Sequence, residues 1–514
     1  MVLDYIILGL YALCMVGVAM YTRGKAKSVK DFLLAGKRGL NGWMSAFSYG
    51  TTYFSAVIFI GYAGKFGQQY GLAAVWIGVF NAIAGGLFAW LVLARRTKNM
   101  TARLESKTMP EFFEKRYGGE NLKLVSAIII FVFLVPYSAS VYNGLSTLFG
   151  IVFGIPGWVI MIALAVLTAL YLFFGGYFAT AISDFIQGII MLVGVVLMVL
   201  FFMNHENVAW DLSTLTEDVE KTWFTFGSSR GGLYGNTVTL LSLILLTSFG
   251  VWALPQTIHK YYAIRDKRAI KQGTIVSTIF ALIIGFGAYF VGGLSGLFPE
   301  LLSGVGSDSV IPTMLAEVIP VGLMGVIAVL ILSASMSTLS SVSLASASVV
   351  AIDIYKGRIN KGASDRRVNI VMKSLCLVFV GISVLLALLN ENLGVSAIAY
   401  MMGISWGTLA GCFMGPFVLG LVWRRVTKSA VWASLISCLT ITASLIVILG
   451  YHQQGFEGSF GDAIAKGVSA SPMIGVICMA SSLLITVVVS LLTKAPDAEV
   501  ISNAFDKPIE NEIK

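Results

Sequence analysis

The residues best suited to chemistry form a run of hydroxyl side chains inside a long apolar segment. The stretch Ser333-Ala334-Ser335-Met336-Ser337-Thr338-Leu339-Ser340-Ser341 carries six hydroxyls in nine residues. On a helix, Ser337, Ser340 and Ser341 share one face and Thr338 lies beside it. Neutral oxygens suit a hard monovalent cation that must be bound and then released, so the run indicates a cation site. A packing interface of small residues, with the hydroxyls bonded back to carbonyls of their own helix, would give the same pattern.

One carboxylate, Asp184, lies well inside a predicted membrane span, near its cytoplasmic end. A charged side chain in a bilayer is costly, so an intramembrane carboxylate is expected to have a cation or a proton as its partner. No Lys or Arg is predicted at matching depth in any span, which favours an ion from solution. A snorkelling or helix-capping aspartate is the structural alternative.

Other classes of function lack supporting residues in the sequence. There is no HExxH, GxxxxGK[ST] or GxSxG motif, and so neither a metalloenzyme, an ATP-driven pump nor a serine hydrolase is indicated. The five cysteines show no CxxC spacing and are typical of small buried side chains. The net charge of +9 is spread over short loops rather than one surface, so no nucleic-acid partner is expected. We predict that the protein is not an enzyme.

Composition places these residues in a membrane. Of 514 residues, 57% are hydrophobic and 12% are charged, against about 25% charged in soluble domains. The mean hydropathy is +0.86. A span needs about 20 mostly apolar residues. An all-α polytopic membrane protein with about 13 transmembrane helices is predicted, with spans at 3–22, 41–64, 72–94, 124–149, 157–175, 181–203, 237–259, 274–297, 321–352, 374–390, 395–423, 429–450 and 473–493.

The basic residues predict the orientation of these spans. With the amino terminus outside, 31 of the 35 Lys and Arg residues fall on the cytoplasmic side, as the positive-inside rule requires. Localisation in the plasma (inner) membrane follows, with the carboxyl terminus cytoplasmic. The polar tail 494–514 is predicted to be disordered and too short for a signalling domain.

Two spans carry helix-breaking residues at mid-membrane depth. The second clusters hydroxyls around Gly50, and the seventh has Gly250 and Pro255 five residues apart. Unwound backbone in a bilayer must line protein or a cavity, and each break opens a run of five spans, as in inverted-repeat transporters. The predicted layout is a first helix and basic loop (1–40), a first repeat (41–203), an extracellular loop (204–236), a second repeat (237–423), two further helices (424–493) and the tail (494–514).

Three stretches resemble the sodium/solute symporter family, which includes bacterial proline, sialic acid and galactose symporters. They are Phe32–Arg38, Gly175–Gln187 and Met336–Ser341, and the similarity covers roughly residues 3–450. The resemblance implies the leucine-transporter-type fold, a five-plus-five inverted repeat with one helix before it and two after. It also implies secondary transport of a small solute, driven by sodium through alternating access. The protein is expected to function as a monomer.

The resemblance implies one or two sodium ions. The main site would use the backbone carbonyls of Thr51, Phe54 and Ala334 and the hydroxyls of Ser337 and Thr338. A second site would use the side chains of Asp184, Ser337, Ser340 and Ser341, which would give the carboxylate its cation. Proton coupling through Asp184, a transporter-like sensor and a channel are the alternatives.

Solute residues are expected around the two breaks. By resemblance, Ser55 and Tyr137 match pocket positions of the family, and residues 124–149 lack the arginine of the sialic acid type. The expected pocket has no fixed charge, so a small neutral or zwitterionic solute is favoured, such as proline or a sugar. A small carboxylate held by half-helix amides is the alternative. The candidate solute-binding residues are Ser55, Tyr53, Asn81, Tyr137, Thr247 and Trp252.

Overall fold

A computed structural model describes residues 2–22, 33, 39–213, 236–392, 398–456 and 458–509. Within these ranges the regular secondary structure is helical, and the one extended pairing is an isolated bridge between Leu40 and Ile264. The all-α prediction is confirmed. Several sequence predictions concern residues outside the described ranges, namely most of the stretch Phe32–Arg38 and of the predicted extracellular loop.

The helices of the first half are mostly long and apolar. They are α1 (Val2–Thr22), α2 (Gly42–Tyr53), α3 (Ala63–Tyr70), α4 (Val75–Phe80), α5 (Arg95–Arg103), α6 (Met109–Tyr117), α7 (Glu120–Phe153) and α8 (Gly157–Asn204). Wider π-helical turns at Val57–Tyr62, Asn81–Phe88 and Trp90–Ala94 join the short ones. Within α8 the backbone kinks at Gly176, where φ is 59°, a conformation that glycine adopts without steric cost.

The second half of the chain is also built of helices, most of the long ones apolar. Its helices are α9 (Asn236–Gly250), α10 (Pro255–Tyr262), α11 (Lys267–Gly293), α12 (Val310–Val318), α13 (Met324–Ser348), α14 (Asp365–Asn392), α15 (Ile398–Phe413), α16 (Gly420–Val422), α17 (Lys428–Gln453), α18 (Phe460–Gly467), α19 (Ser471–Leu492) and α20 (Ala498–Phe505). Helix α13 continues into a π-helical segment, Val349–Ile359.

Eleven helices in the described ranges are long and apolar enough to cross a membrane, and Gly157–Phe173 is a shorter apolar one. The helical stretch Val57–Arg103 has 47 residues, about twice what one crossing needs. It is divided at Gly71, where φ is 56°. Twelve of the thirteen predicted spans overlap one of these helices, whereas the span 41–64 is divided between α2 and the start of Val57–Arg103. The chain is a multi-pass membrane protein.

Both predicted helix breaks are present. Helix α2 ends at Tyr53, and Phe54 is extended, with φ −105° and ψ 123°. Helix α9 ends at Gly250, Leu254 is extended, and α10 begins at Pro255. Proline suits this first helical position because the amide it lacks would have no helical partner there. Each break exposes backbone polar groups at a helix end inside the protein.

Helix α13 lies at the centre of the molecule. It packs against α1, α2, α7, α8 and α10, and its hydroxyl run from Ser333 to Ser341 is buried along its whole length. Close helix contacts depend on glycine elsewhere: a Cβ on Gly292 of α11 would lie 2.1 Å from the Ala63 carbonyl oxygen of α3. Such contacts hold the surrounding helices close together.

The prediction of a disordered tail is wrong for residues 498–505, which form α20. Ala504 is buried, the Phe505 ring lies 5.0 Å from the guanidinium of Arg116, and Asp506 pairs with Arg424 at 2.6 Å. One apolar face and two arginines are enough to dock this short helix, although the tail around it is polar.

Candidate ion and solute site

The end of α2 and the middle of α13 form a cluster of neutral oxygen atoms. The Ser337 hydroxyl lies 2.9 Å from the Thr51 carbonyl oxygen and 3.0 Å from that of Ala334. The Thr338 hydroxyl lies 3.1 Å from the Ala334 carbonyl oxygen and 3.5 Å from that of Thr51. The carboxyl end of α2 adds the negative end of its helix dipole. This donor set suits a sodium ion between a broken helix and a hydroxyl-rich one.

The structure brings together four of the five residues predicted for the main sodium site. The exception is Phe54: its N–H donates to Gly50 at 3.2 Å, and no contact places its carbonyl in the cluster. The Thr52 carbonyl is within 3.5 Å of the Thr338 hydroxyl instead. The sequence does not single out Thr52, because the path of the backbone at the break decides which carbonyl faces α13.

The surroundings of Asp184 differ from the expectation. The ammonium of Lys260, on α10, lies 3.3 Å from Asp184 Oδ2, and the Ser48 hydroxyl lies 2.5 Å from the same oxygen. Both charged side chains are buried, at 2% and 0% exposure. The expectation that no basic residue lies at the depth of Asp184 is therefore wrong. Lys260 lies just beyond the predicted seventh span, 237–259, where the sequence predicts a cytoplasmic loop.

The other residues predicted for a second sodium site do not converge on one point: some lie near Lys260 and others near the main cluster. Ser341 accepts a hydrogen bond from Lys260 at 2.8 Å and lies 2.9 Å from the Thr52 hydroxyl. Ser340 bonds back to the Ser337 carbonyl of its own helix at 2.8 Å. Asp184 and Ser341 thus share Lys260 as a partner, whereas Ser337 faces the main cluster.

A buried polar network joins the two breaks. The Tyr53 hydroxyl donates to the Thr247 carbonyl at 2.7 Å, and the Thr247 hydroxyl donates to Asn81 Oδ1 at 2.8 Å. Ser248 donates to the same Asn81 oxygen at 3.0 Å. The Asn81 Nδ2 group is buried and has no hydrogen-bond partner among the described residues. Three predicted solute residues therefore lie together, and one keeps a free donor.

Aromatic side chains surround this network. The Trp406 ring, on α15, lies 6.1 Å from the Tyr53 ring and 5.6 Å from the Tyr137 ring. The Tyr137 hydroxyl is buried and has no hydrogen-bond partner among the described residues, so it is a second free polar group beside the network. Trp252 is only half-buried and donates to the Ala84 carbonyl at 2.9 Å, which places it at the edge of the network.

Trp406, Ser248, Ser48 and Lys260 were not among the residues predicted for the site. Ser248 could have been predicted from the sequence, since it follows Thr247 directly at the second break. Trp406 carries no distinguishing local pattern in its apolar segment, and only packing brings α15 against both tyrosines. The hydroxyl run and the helix breaks were thus sufficient to locate the site in the sequence. Single site residues on remote helices have no sequence pattern that would identify them.

Comparison with known proteins adds a family and a fold. The model of the sodium:solute symporter family matches residues 32–437. The osmoregulated proline transporter OpuE of Bacillus subtilis (strain 168) is 26% identical over 506 residues, covering 95% of this chain and 94% of that protein. The high-affinity proline transporter PutP of the same organism is 26% identical over 506 residues, covering 96% and 98%.

A solved structure supports the architecture. The substrate-bound outward-open state of a Na⁺-coupled sialic acid symporter matches with a TM-score of 0.76 at 19% identity, covering 96% of this chain and 98% of that one. At this identity the likeness concerns the fold, and it confirms the predicted leucine-transporter-type arrangement.

Proposed function

Because this chain belongs to the sodium:solute symporter family and is a sodium-coupled membrane transporter, we propose that it imports a small zwitterionic amino acid, with proline as the first candidate. The observation that carries the proposal is the uncharged network of Tyr53, Thr247 and Asn81 between the two helix breaks. A solute with both charges on one small molecule needs hydrogen-bond partners and helix-end dipoles rather than a fixed counter-charge.

The proposed main sodium site consists of the carbonyls of Thr51 and Ala334 with the hydroxyls of Ser337 and Thr338; the Phe54 carbonyl stays a candidate. Because the oxygens come from α2 and α13, which lie in different predicted repeats, a bound ion would hold the repeats together. A hydroxyl can rotate to turn a lone pair toward the ion. Each sodium that moves down 100 mV supplies about 2.3 kcal/mol for uptake.

The proposed solute site is adjacent. The free Nδ2 group of Asn81 would donate to the solute carboxylate, and the rings of Tyr53 and Trp406 would cover its apolar part. The Tyr137 ring packs against Trp406, and its buried hydroxyl, which has no hydrogen-bond partner among the described residues, would be available to the solute. Trp252, at the edge, would lie near the entrance of the site.

We further propose that the chain functions as a monomer, with its amino terminus outside and its carboxyl terminus cytoplasmic. The orientation rests on the basic residues of the short loops. Cysteines placed singly at residues 2 and 507 of a variant lacking Cys14 would be labelled from opposite sides of the membrane by an impermeant maleimide. Labelling of both from one side would contradict this orientation.

A reconstitution experiment tests the function. Proteoliposomes containing the full chain should accumulate radiolabelled proline when sodium, but not potassium, is present outside at higher concentration. A thermal-shift screen of amino acids, sugars and sialic acid, each in sodium or potassium, would identify competing solutes. A sodium-dependent shift with a sugar or with sialic acid, and none with any amino acid, would reject the proposed solute class.

A further inference from the structure

The ammonium group of Lys260 is fully coordinated by oxygen atoms. It lies 2.8 Å from the Ser341 hydroxyl, 2.9 Å from the Ser48 hydroxyl and 3.3 Å from Asp184 Oδ2. An ammonium has three N–H donors, and each finds one acceptor here. The Tyr177 ring lies 5.2 Å away and offers its electron-rich face. The group therefore sits in its oxygen cage as a bound cation would.

Four helices contribute to this cage. Ser48 comes from α2, Asp184 from α8, Lys260 from α10 and Ser341 from α13, and none of the four is more than 4% exposed. An ionised carboxylate buried in this way needs a positive partner, because an unpaired buried charge is strongly destabilising. Lys260 supplies that partner from within the chain.

The cage leaves few free oxygen ligands for a second ion. Ser337 and Ser340 donate to main-chain carbonyls, and Ser341 is engaged by Lys260 and Thr52. Among the side-chain oxygens of Asp184 and these three serines, Asp184 Oδ1 alone has no hydrogen-bond partner among the described residues. One oxygen does not make a sodium site, and an ion bound there would be repelled by the adjacent ammonium.

We propose that the ammonium of Lys260 takes the place of a second sodium ion as the permanent counter-charge of Asp184. The chain then binds one sodium, at the α2–α13 cluster, and carries one sodium per solute. This inference rests on the proposed function for the identity of that first ion. It removes the second sodium that the residue types around Asp184 had suggested.

The position of the ammonium also has a mechanical consequence. Ser341 bridges Lys260 and Thr52, and Thr52 lies directly beside Thr51 of the proposed sodium site. The half-helix α10 is thus tied to α2 and α13 by an ammonium group that is covalently part of the chain. Sodium occupancy then controls the contact between α2 and α13, while the attachment of α10 needs no dissolved ion.

Direct counting of bound sodium tests the proposal. Equilibrium binding of ²²Na⁺ to the purified full chain, without solute and with choline as the balancing cation, should give one sodium per wild-type chain. Lys260→Met leaves Asp184 without its partner, so it should bind one sodium more than wild type. The double variant Lys260→Met/Asp184→Asn removes both charges and should return to the wild-type number.

A matched control separates this effect from the loss of any buried lysine. Lys123 pairs with Glu114 at 2.9 Å and lies 3.9 Å from the buried Asp353, so Lys123→Met should leave the sodium number unchanged. Two sodium ions on the wild-type chain, falling to one in the double variant, would overturn the proposal, as would a Lys260→Met chain that gains none. If Lys260→Met does not fold, the wild-type and double-variant numbers still decide.

The two proposals fail in different ways. The increment of one sodium on Lys260→Met tests the role of the ammonium. The first sodium on the wild-type chain tests the proposed ion cluster. A wild-type chain that binds none, with one ion appearing in Lys260→Met, would reject the cluster and support the role of Lys260.

Discussion

The Tyr53 hydroxyl donates a 2.7 Å hydrogen bond to the Thr247 carbonyl oxygen, 194 positions along the chain. Tyr53 is the last residue of α2 before the first break, and Thr247 lies in the last turn of α9 before the second. The bond therefore joins the two interrupted helices directly. A ligand that binds at one break therefore contacts a helix that is hydrogen-bonded directly to the other break.

Replacing Tyr53 by phenylalanine removes this bond and keeps the ring. A single hydrogen bond contributes about 0.5–1.5 kcal/mol net, so we expect the KM for proline uptake to rise about two- to tenfold. The control is Tyr49→Phe, which removes a 2.5 Å bond to the Gly85 carbonyl between α2 and the neighbouring span. Thermal stability should fall similarly in both variants; an equal rise of KM in Tyr49→Phe would contradict a specific role for Tyr53.

Asn81→Asp tests the free donor of the network. An aspartate can still accept from Thr247 and Ser248, as Asn81 Oδ1 does at 2.8 and 3.0 Å, but it has no N–H to offer. If Asn81 Nδ2 binds the solute carboxylate, affinity for proline should fall at least about tenfold, because a charge-assisted bond is lost and a like charge is added. Proline titration by thermal shift in sodium is the measurement. Unchanged affinity would exclude this contact.

Ser337→Ala removes a hydroxyl from the proposed sodium site. We expect sodium-dependent uptake to be lost, or the half-saturating sodium concentration to rise at least about tenfold. Ser335→Ala is the matched control, since its hydroxyl bonds back to the Ile331 carbonyl at 2.7 Å on the same buried helix. Uptake and ²²Na⁺ binding would be compared in the two variants. Wild-type sodium dependence in Ser337→Ala would show that the site lies elsewhere.

Gly292→Ala tests helix packing. Its new methyl would lie 2.1 Å from the Ala63 carbonyl oxygen, a backbone atom that cannot move aside alone. Overpacking of this kind costs about 1–3 kcal/mol, so the thermal midpoint in detergent should fall by several degrees. Gly381→Ala is the control, because nothing lies within 4 Å of the added carbon. A midpoint for Gly292→Ala equal to that of Gly381→Ala would refute the close contact.

Asp266 gives a pH-dependent prediction outside the membrane. Its carboxylate accepts from the Ala269 N–H at 2.8 Å and from Arg265 at 2.7 Å, and these partners hold the pKa of Asp266 below its ordinary value. A carboxyl with a lowered pKa stabilises the fold above its unfolded pKa of about 3.9, and that stability is lost as the pH falls further.

Asp266→Ala should therefore lower stability by about 1 kcal/mol, equally at pH 7 and pH 5, with the difference shrinking only below about pH 4. Thermal unfolding in detergent at these pH values measures it. Asp266→Asn retains the cap on Ala269 and should lose less. A difference that grows on acidification would contradict the assigned charge state.

Local sequence signals predicted much of the architecture. Apolar length gave the spans, and Gly50, Gly250 and Pro255 marked breaks that are present near Phe54 and Leu254. The hydroxyl run marked the helix that lies at the centre. These signals are local because a helix forms or breaks within a few residues, whatever packs around it.

Lys260 shows where such signals fail. Counting loop charges placed it in the cytoplasm, because it follows an apolar stretch and precedes four other basic residues, Arg265, Lys267, Arg268 and Lys271. Helix α10 extends to Tyr262, which carries the ammonium inward to Asp184. No one-dimensional pattern pairs residues 76 positions apart on different helices.

The sequence by itself thus determined a membrane-embedded helical chain with two interrupted helices, a hydroxyl-rich helix and one intramembrane carboxylate, since these follow from composition and local backbone chemistry. The tertiary structure decided which oxygens converge, which tyrosines meet across the breaks and that Asp184 has a lysine as its partner. Those outcomes depend on how the helices pack, because ångström-scale distances between side chains on separate helices are set by their relative positions.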